Sequence, residues 1–97
     1  MSARVTIVQV LPGKIDEAIG IFRDFVVPAG KEQKGHKGHY LLTDRKNDKG
    51  ISISLWETEA DMTMGETSGH YQQQLAKVKD IFAAPPVRET YEVSVQP

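Results

Sequence analysis

The chain contains no cysteine, and its aromatic content is low, 7% of 97 residues with a single tryptophan. The absence of cysteine excludes a thiol nucleophile, a thiolate metal site and a disulfide framework, and it agrees with a reducing compartment. No stretch approaches the roughly 18 apolar residues that a membrane span needs. The first ten residues lack the apolar segment and cleavage site of a secretory signal. We therefore expect a cytoplasmic protein with no membrane association.

The chain also lacks a strong charge of either sign, because its formal net charge is −1. A nucleic-acid partner would require a strong positive field, so none is expected. The charges are nevertheless segregated: residues 31–49 carry six basic and three acidic side chains, whereas residues 57–66 carry only acidic ones. Two solvated faces are the simplest interpretation, and an electrostatic docking site is the alternative. Arg4, Arg45 and Arg88 are expected on the solvated surface, with binding of a substrate anion as the alternative.

Apolar and turn residues predict four strands and two main helices within a single domain, residues 1–97. The strands are expected at residues 4–11, 39–45, 51–57 and 87–95. The first helix follows Pro12-Gly13, and Pro28 is expected to kink or end it. Thr58 is expected to cap a short helix, and Ser68 the last one. Two apolar stripes define the main helices: Ile15, Ala18, Ile19, Phe22, Phe25 and Val26, then Tyr71, Leu75, Val78 and Phe82.

This β-α-β-β-α-β order predicts an α+β, ferredoxin-like fold, a four-stranded antiparallel sheet with helices on one face. In the third strand the aliphatic residues 51, 53 and 55 alternate with Ser52, Ser54 and Trp56. We expect the aliphatic set to pack beneath the helices and Trp56 to lie on the uncovered face. Burial of that face against a second copy predicts a homodimer, and a monomer with a solvated sheet face is the alternative. RNA-recognition domains share the element order but need aromatic residues on the central strands, and serines stand there instead.

Four short motifs are spread along nearly the whole chain. They are Pro12-Gly13-Lys14, Pro28 followed by Gly35-x-x-Gly38, Leu55-Trp56-Glu57, and Ser68-Gly69-His70-Tyr71. Together they resemble the antibiotic biosynthesis monooxygenase-like family of dimeric α/β barrel proteins. The resemblance implies a dimer in which two sheets face each other, with a pocket between the sheet and the helices or loops of each subunit. Some members oxygenate polycyclic phenols or quinols without metal or flavin, and others degrade haem.

The chain departs from this family pattern in the residues that carry chemistry. Many relatives have a histidine nine residues after the tryptophan, where this chain has Gly65. The haem-degrading branch has a tryptophan and a histidine ligand in regions that here offer Gly65 and Leu75, so haem degradation is not expected. His36 stands at a position that is often aromatic in relatives.

His70 is the candidate catalytic residue, because the first turn of a helix disfavours imidazolium and keeps the ring able to accept a proton. The alternative is a neutral histidine that is hydrogen-bonded to a neighbouring loop. Trp56 is expected to stack on an aromatic substrate, with packing at a dimer interface as the alternative. The other candidate substrate-binding residues are His39, Tyr40, which can instead cover the sheet, and Tyr71, which can instead belong to the core.

His36 and His39 also suggest a metal pair, but residues three apart on a strand face opposite sides unless a bulge at Gly38 intervenes. No third ligand is evident, so neither a metal nor another cofactor is predicted. The resemblance thus implies that dioxygen oxidises a small aromatic phenol or quinol. The alternatives are a non-catalytic ligand-binding or assembly module of the same fold, and an isomerase or dehydratase of a small ring.

Overall fold

The computed structural model describes residues 1–67, 76 and 79–97. Four antiparallel strands form one sheet in the order β2-β3-β1-β4. They are β1 (Ser2–Gln9), β2 (His36–Asp44), β3 (Lys49–Trp56) and β4 (Val87–Glu92), and the helices are α1 (Ile15–Ile21), α2 (Val27–Lys31) and α3 (Glu59–Thr67). The ferredoxin-like α+β fold predicted from the element order is therefore confirmed.

The sequence predicted that Pro28 either kinks or ends the first helix. The helical segment between β1 and β2 does not end there. A π-helical turn, Phe22–Val26, joins α1 to α2, and the helix continues to Lys31. Pro28 is accepted because it lies in the first turn of α2, next to the widened π turn, where the ring avoids the usual clash. The extra residue of the turn also rotates the apolar stripe. Phe22 is buried, but Phe25, which was predicted on the same face, is 52% exposed.

The hydrophobic core lies between the sheet and α1, where Val8 and Val10 pack against Ile15, Ala18 and Phe22. Thr58 caps α3 as predicted, because its Oγ1 accepts a hydrogen bond from the Asp61 amide at 3.0 Å. Among the described helices, none is long and apolar enough to cross a membrane.

The predicted last helix falls largely on residues 68–75 and 77–78, which lie outside the described part of the chain. That segment includes His70 and Tyr71. The prediction extended the helical stripe to Phe82, and this end of it is wrong. Lys79–Ile81 form a 3₁₀ turn, and Phe82 pairs with Val10 in an isolated β-bridge.

The two faces of β3 are the reverse of the prediction. Ser52, Ser54 and Trp56 are 7%, 6% and 2% exposed and lie beneath the helices, on the side of Val8. Ile51, Ile53 and Leu55 are only half-buried and lie on the other side. Alternation along a strand shows which residues share a face, but it does not show which face the helices cover.

The side of the sheet that carries Ile51, Ile53 and Leu55 is called the open face below. Registers with the neighbouring strands add further residues to it, most of them apolar. They are Ala3, Val5, Ile7, Gly38, Tyr40, Leu42, Val87, Glu89 and Tyr91. Four of the large apolar side chains are more than half exposed: Tyr40, Leu42, Val87 and Tyr91. The open face is therefore extensive and apolar, but it does not contain Trp56.

Candidate functional site

Six polar or aromatic side chains converge on the helix-facing side of the sheet, and this group is called the polar cluster. Its members are Arg4, His36, His39, Ser52, Ser54 and Trp56. The strand registers bring them together. Ser54 of β3 pairs with Arg4 of β1 on one side and with His39 of β2 on the other, while Trp56 pairs with His36. The cluster thus spans three adjacent strands beneath the helices.

A β-bulge places both histidines in this cluster. The register of β2 shifts between His36 and Gly38, so that Lys37 is the extra residue. The two imidazoles consequently lie on the same side of the sheet, with ring centroids 6.1 Å apart. The bulge that the sequence argument required for such a pair is present.

Gly35 fixes the beginning of β2 ahead of this bulge. Its φ of 80° is left-handed, and its carbonyl accepts a hydrogen bond from the Glu57 amide at 2.7 Å. A Cβ at this position would collide with the Asp61 carboxylate. Glycine is therefore required where the chain enters β2 and meets the end of β3.

Trp56 stands at the centre of the contacts. Its Nε1 donates a hydrogen bond to Ser54 Oγ at 3.0 Å. The His36 ring meets it edge-on at a centroid distance of 5.2 Å, and the Arg4 guanidinium carbon lies 5.5 Å from its ring centroid. The tryptophan ring thus holds a cation and an imidazole in fixed positions around it.

Arg4 is buried, at 8% exposure, and not on the solvated surface as predicted. Its Nη2 donates a hydrogen bond to the Met62 carbonyl in α3 at 3.1 Å. The prediction treated Arg4 by residue type alone. A signal was available in the alternation of β1, because Arg4 has the same parity as the core residues Val8 and Val10.

Both histidines of the cluster favour the neutral form. The pKa of His39 is lowered to about 4, chiefly by burial and further by His36 and Arg4. The pKa of His36 is also lowered, first by burial and then by the positive charges of Lys31 and Arg4. At neutral pH the polar cluster therefore contains one buried guanidinium and two uncharged imidazoles.

His39 Nε2 and Ser52 Oγ are 2.6 Å apart, an arrangement that resembles a nucleophile with its base. A histidine with a pKa of about 4 is a weak base, however, and the charge of Arg4 opposes formation of the imidazolium. Phe22 contacts the same ring edge-on at 6.2 Å and contributes to its burial. We therefore interpret this pair as a satisfied buried hydrogen bond, not as an activated serine.

His36 differs from His39 in its hydrogen bonding. Its Nε2 is buried and has no hydrogen-bond partner among the described residues. No group of three His, Asp or Glu side chains in the described ranges is arranged to hold a metal ion.

The structure brings two of the predicted site residues together and separates a third. Trp56 and His39 both belong to the polar cluster. Tyr40 pairs with Ile53 on the open face and is 59% exposed, so it does not line a site with Trp56. His70 and Tyr71 lie outside the described residues. The sequence did not predict Ser52 and Ser54 as site residues. For Arg4 it favoured the solvated surface over anion binding, and for His36 it offered only a metal pair with His39, which was not expected.

Comparison with known proteins agrees with this architecture. The sequence profile of the antibiotic biosynthesis monooxygenase family matches residues 1–77. The chain belongs to this family. Uncharacterized proteins of two Mycobacterium tuberculosis strains, CDC 1551 / Oshkosh and H37Rv, are 41% identical to this family member over 56 residues. That segment is 58% of the chain but only 24% of each relative's length.

Solved structures share the fold of this antibiotic biosynthesis monooxygenase family member at low sequence identity. SnoaB, a cofactor-independent oxygenase from Streptomyces nogalater, matches with a TM-score of 0.82 and 14% identity, covering 98% of this chain and 94% of SnoaB. A protein of unknown function from Nitrosomonas europaea matches with a TM-score of 0.81 and 14% identity, covering 99% and 91%. At these identities the likeness establishes the fold and leaves the activity open.

Proposed function

We propose that this member of the family is a monooxygenase of small aromatic compounds of the phenol or quinol type, and that its substrate binds at the polar cluster. The observation that carries this proposal is that a buried guanidinium, Arg4, and a neutral imidazole, His36, both pack against Trp56, with the neutral ring of His39 next to His36. An aromatic ring with an ionisable hydroxyl fits such surroundings, because it offers a flat apolar surface and one oxygen able to carry negative charge.

The proposed reaction takes all its electrons from the substrate and dioxygen. The phenol loses a proton, and the electron-rich phenolate forms a carbon–oxygen bond with dioxygen to give a peroxide. Loss of water from the peroxide breaks the oxygen–oxygen bond and leaves a quinone. One oxygen atom enters the product and the other leaves as water, so no external reductant is required. Arg4 would stabilise the negative charge of the phenolate and the peroxide in a buried site, where such stabilisation is strongest.

His70 is the proposed proton acceptor, because the sequence predicts it in the first turn of a helix, where the helix dipole disfavours the imidazolium. Trp56, His39 and Tyr71 are the proposed walls of the substrate site. Tyr40 is reassigned, because its place on the open face suits contact with a second subunit instead. We further propose a homodimer that buries the open face and a cytoplasmic location.

Oxygen uptake tests this proposal. Purified protein is incubated with a panel of naphthols, naphthalenediols and anthrones, alongside His70→Ala and Trp56→Ala variants and a Tyr40→Phe control. We expect the wild type to consume oxygen. The rate of uptake should fall by about 10²-fold or more in His70→Ala and markedly in Trp56→Ala, and it should not fall in the control. Uptake that is unchanged in both site variants would refute the site assignment.

A non-catalytic ligand-binding or assembly module is the second candidate. Two observations favour it. Side chains of the cluster already hydrogen-bond each other, Trp56 with Ser54 and His39 with Ser52, and Trp56 is only 2% exposed. Ligand binding without oxygen uptake or product formation across the panel would support this candidate. Conversion of a ligand without oxygen uptake would instead indicate an isomerase or a dehydratase.

A further inference from the structure

We propose that His36 determines which ligands the polar cluster accepts, by donating a hydrogen bond from Nε2 to an anionic oxygen on a ring bound beside Trp56. This inference rests on the proposed substrate site, but it concerns recognition and does not require that the protein be catalytic. It assigns His36 a role in binding specificity.

The packing around His36 supports this role. Its ring is fixed edge-on against Trp56, with centroids 5.2 Å apart and an interplanar angle of 90°. On another side it lies against Gly30 of α2, where an added Cβ would be 3.2 Å from Nε2. The nitrogen is thus held at a defined position close to the α2 backbone, and residue 30 places no side chain against it.

The hydrogen bonding of His36 indicates that a partner is missing from the described chain. Nε2 is buried and has no partner among the described residues. Buried polar atoms in native proteins are nearly always paired, because an unpaired one loses its hydration without compensation. His39, in the same cluster, is paired with Ser52. A ligand oxygen would satisfy His36 in the way that the serine satisfies His39.

The surrounding charges indicate the kind of oxygen. The positive charges of Lys31 and Arg4 both act on His36, so the local potential favours a negatively charged group and a neutral imidazole. A neutral imidazole that donates from Nε2 pairs well with a phenolate or enolate oxygen. A methyl ether of the same ring would fill the same space but would be a much weaker acceptor.

The test is a pair of calorimetric titrations in the absence of oxygen. The probes are 4-nitrophenol, at mildly alkaline pH where it is ionised, and its methyl ether 4-nitroanisole. Wild-type protein is expected to bind the phenolate roughly tenfold or more tightly than the ether, as for a hydrogen bond to a charged group. His36→Phe keeps a flat ring against Trp56 but removes the donor, so it is expected to lose this preference while binding of the ether changes less than about twofold.

Two further variants separate recognition from a general structural effect. His36→Gln retains an N–H donor and is expected to recover part of the preference. Gly30→Ala leaves His36 in the chain but places a methyl group beside Nε2, and is expected to reduce the preference even if His36→Phe fails to fold. The proposal would be overturned if His36→Phe weakened binding of the phenolate and the ether equally, or if a folded His36→Phe kept the wild-type preference. It would also be overturned if the wild type showed no preference for the phenolate. Loss of oxygen uptake alone would refute only the monooxygenase function.

Discussion

His39 illustrates how burial and neighbouring charge set the protonation state of a single residue. Its ring is enclosed by Phe22, His36 and Ser52, and its pKa is lowered to about 4. The folded state therefore binds this proton less readily than the unfolded state, whose histidines titrate near 6.5. The contribution of neutral His39 to stability is complete above pH ~6.5 and is lost as the pH falls towards ~4.

We predict that the free energy of unfolding decreases by about 2 kcal/mol through His39 over that range, less than the full linkage value because solvent still screens the ring in part. Denaturant unfolding at a series of pH values measures this slope. His39→Gln, which cannot titrate but can still bond Ser52, is expected to have a flatter profile. His36, whose pKa is also lowered, adds a slope in the same direction, and the lowered pKa values of Asp16, Asp24 and Asp44 add to it at the acidic end. Both contributions remain in the variant, so the difference between the two profiles reports His39. An identical slope in wild type and variant would contradict the assignment.

At this scale the sequence identified only part of the candidate site. Trp56 and His39 were recognised by residue type, and the structure places both in the polar cluster. Arg4 was expected in solvent, because arginines are usually solvated, although it shares the parity of the core residue Val8 along β1 and is buried on that side of the sheet. The contact between His36 and Trp56 depends on a bulge that local propensity does not reveal.

At the scale of elements, the connection from α2 into β2 depends on Gly35. Any larger residue there would destabilise the fold for two reasons, the left-handed φ of 80° and the collision with Asp61. Gly13 provides a matched comparison, since its φ is 78° but an added Cβ would meet nothing within 4 Å.

We predict that Gly13→Ala lowers the free energy of unfolding by about 1 kcal/mol, because it adds only backbone strain. Gly35→Ala should lower it by at least about 1 to 2 kcal/mol more, because the new Cβ also overlaps Asp61. Chemical denaturation of both variants gives the difference. Equal destabilisation would show that Asp61 moves aside freely and that its position does not hold this junction.

The N-terminus of α3 offers a second test at this scale. Thr58 Oγ1 accepts the Asp61 amide hydrogen bond, so Thr58→Ala leaves that amide without its cap. We expect a loss of about 1 kcal/mol in the free energy of unfolding. Thr58→Ser retains the hydroxyl and should recover most of it. A serine variant as unstable as the alanine variant would assign the effect to the lost methyl group.

Element order was predictable because strand and helix periodicities and the Gly and Pro boundaries are local properties. The course of the chain through Pro28 was not, since it depends on the π turn that precedes the proline. Nor was the face of β3 that the helices cover, because Ser52 and Ser54 become suitable for burial only through side-chain partners, His39 on β2 and Trp56 on the same strand.

At the scale of the whole molecule, the two sides of the sheet differ in chemistry. The helix-facing side holds the polar cluster, and the open face is an apolar surface that includes Tyr40, Leu42, Val87 and Tyr91, each more than half exposed. Association of two open faces would remove this surface from water.

We predict that a Leu42→Glu variant is a monomer under conditions where the wild type is a dimer, because the charge would have to be buried at the interface. Leu42 is 52% exposed within one subunit, so the subunit itself should remain folded. Met64→Glu is the matched control, because Met64 is 67% exposed but belongs to α3, away from the open face. Sedimentation equilibrium distinguishes the species. A monomeric wild type, or dissociation by both substitutions, would contradict this arrangement.

We propose that the polar cluster supports oxygenation of a phenol by dioxygen, with the substrate as the only electron donor. Mass spectrometry of the product formed under ¹⁸O₂ tests it most directly. We expect one labelled oxygen atom in each quinone, one phenol consumed per dioxygen, and loss of labelled product in Trp56→Ala. A product that carries no label, or labelling at the same rate in that variant, would contradict it.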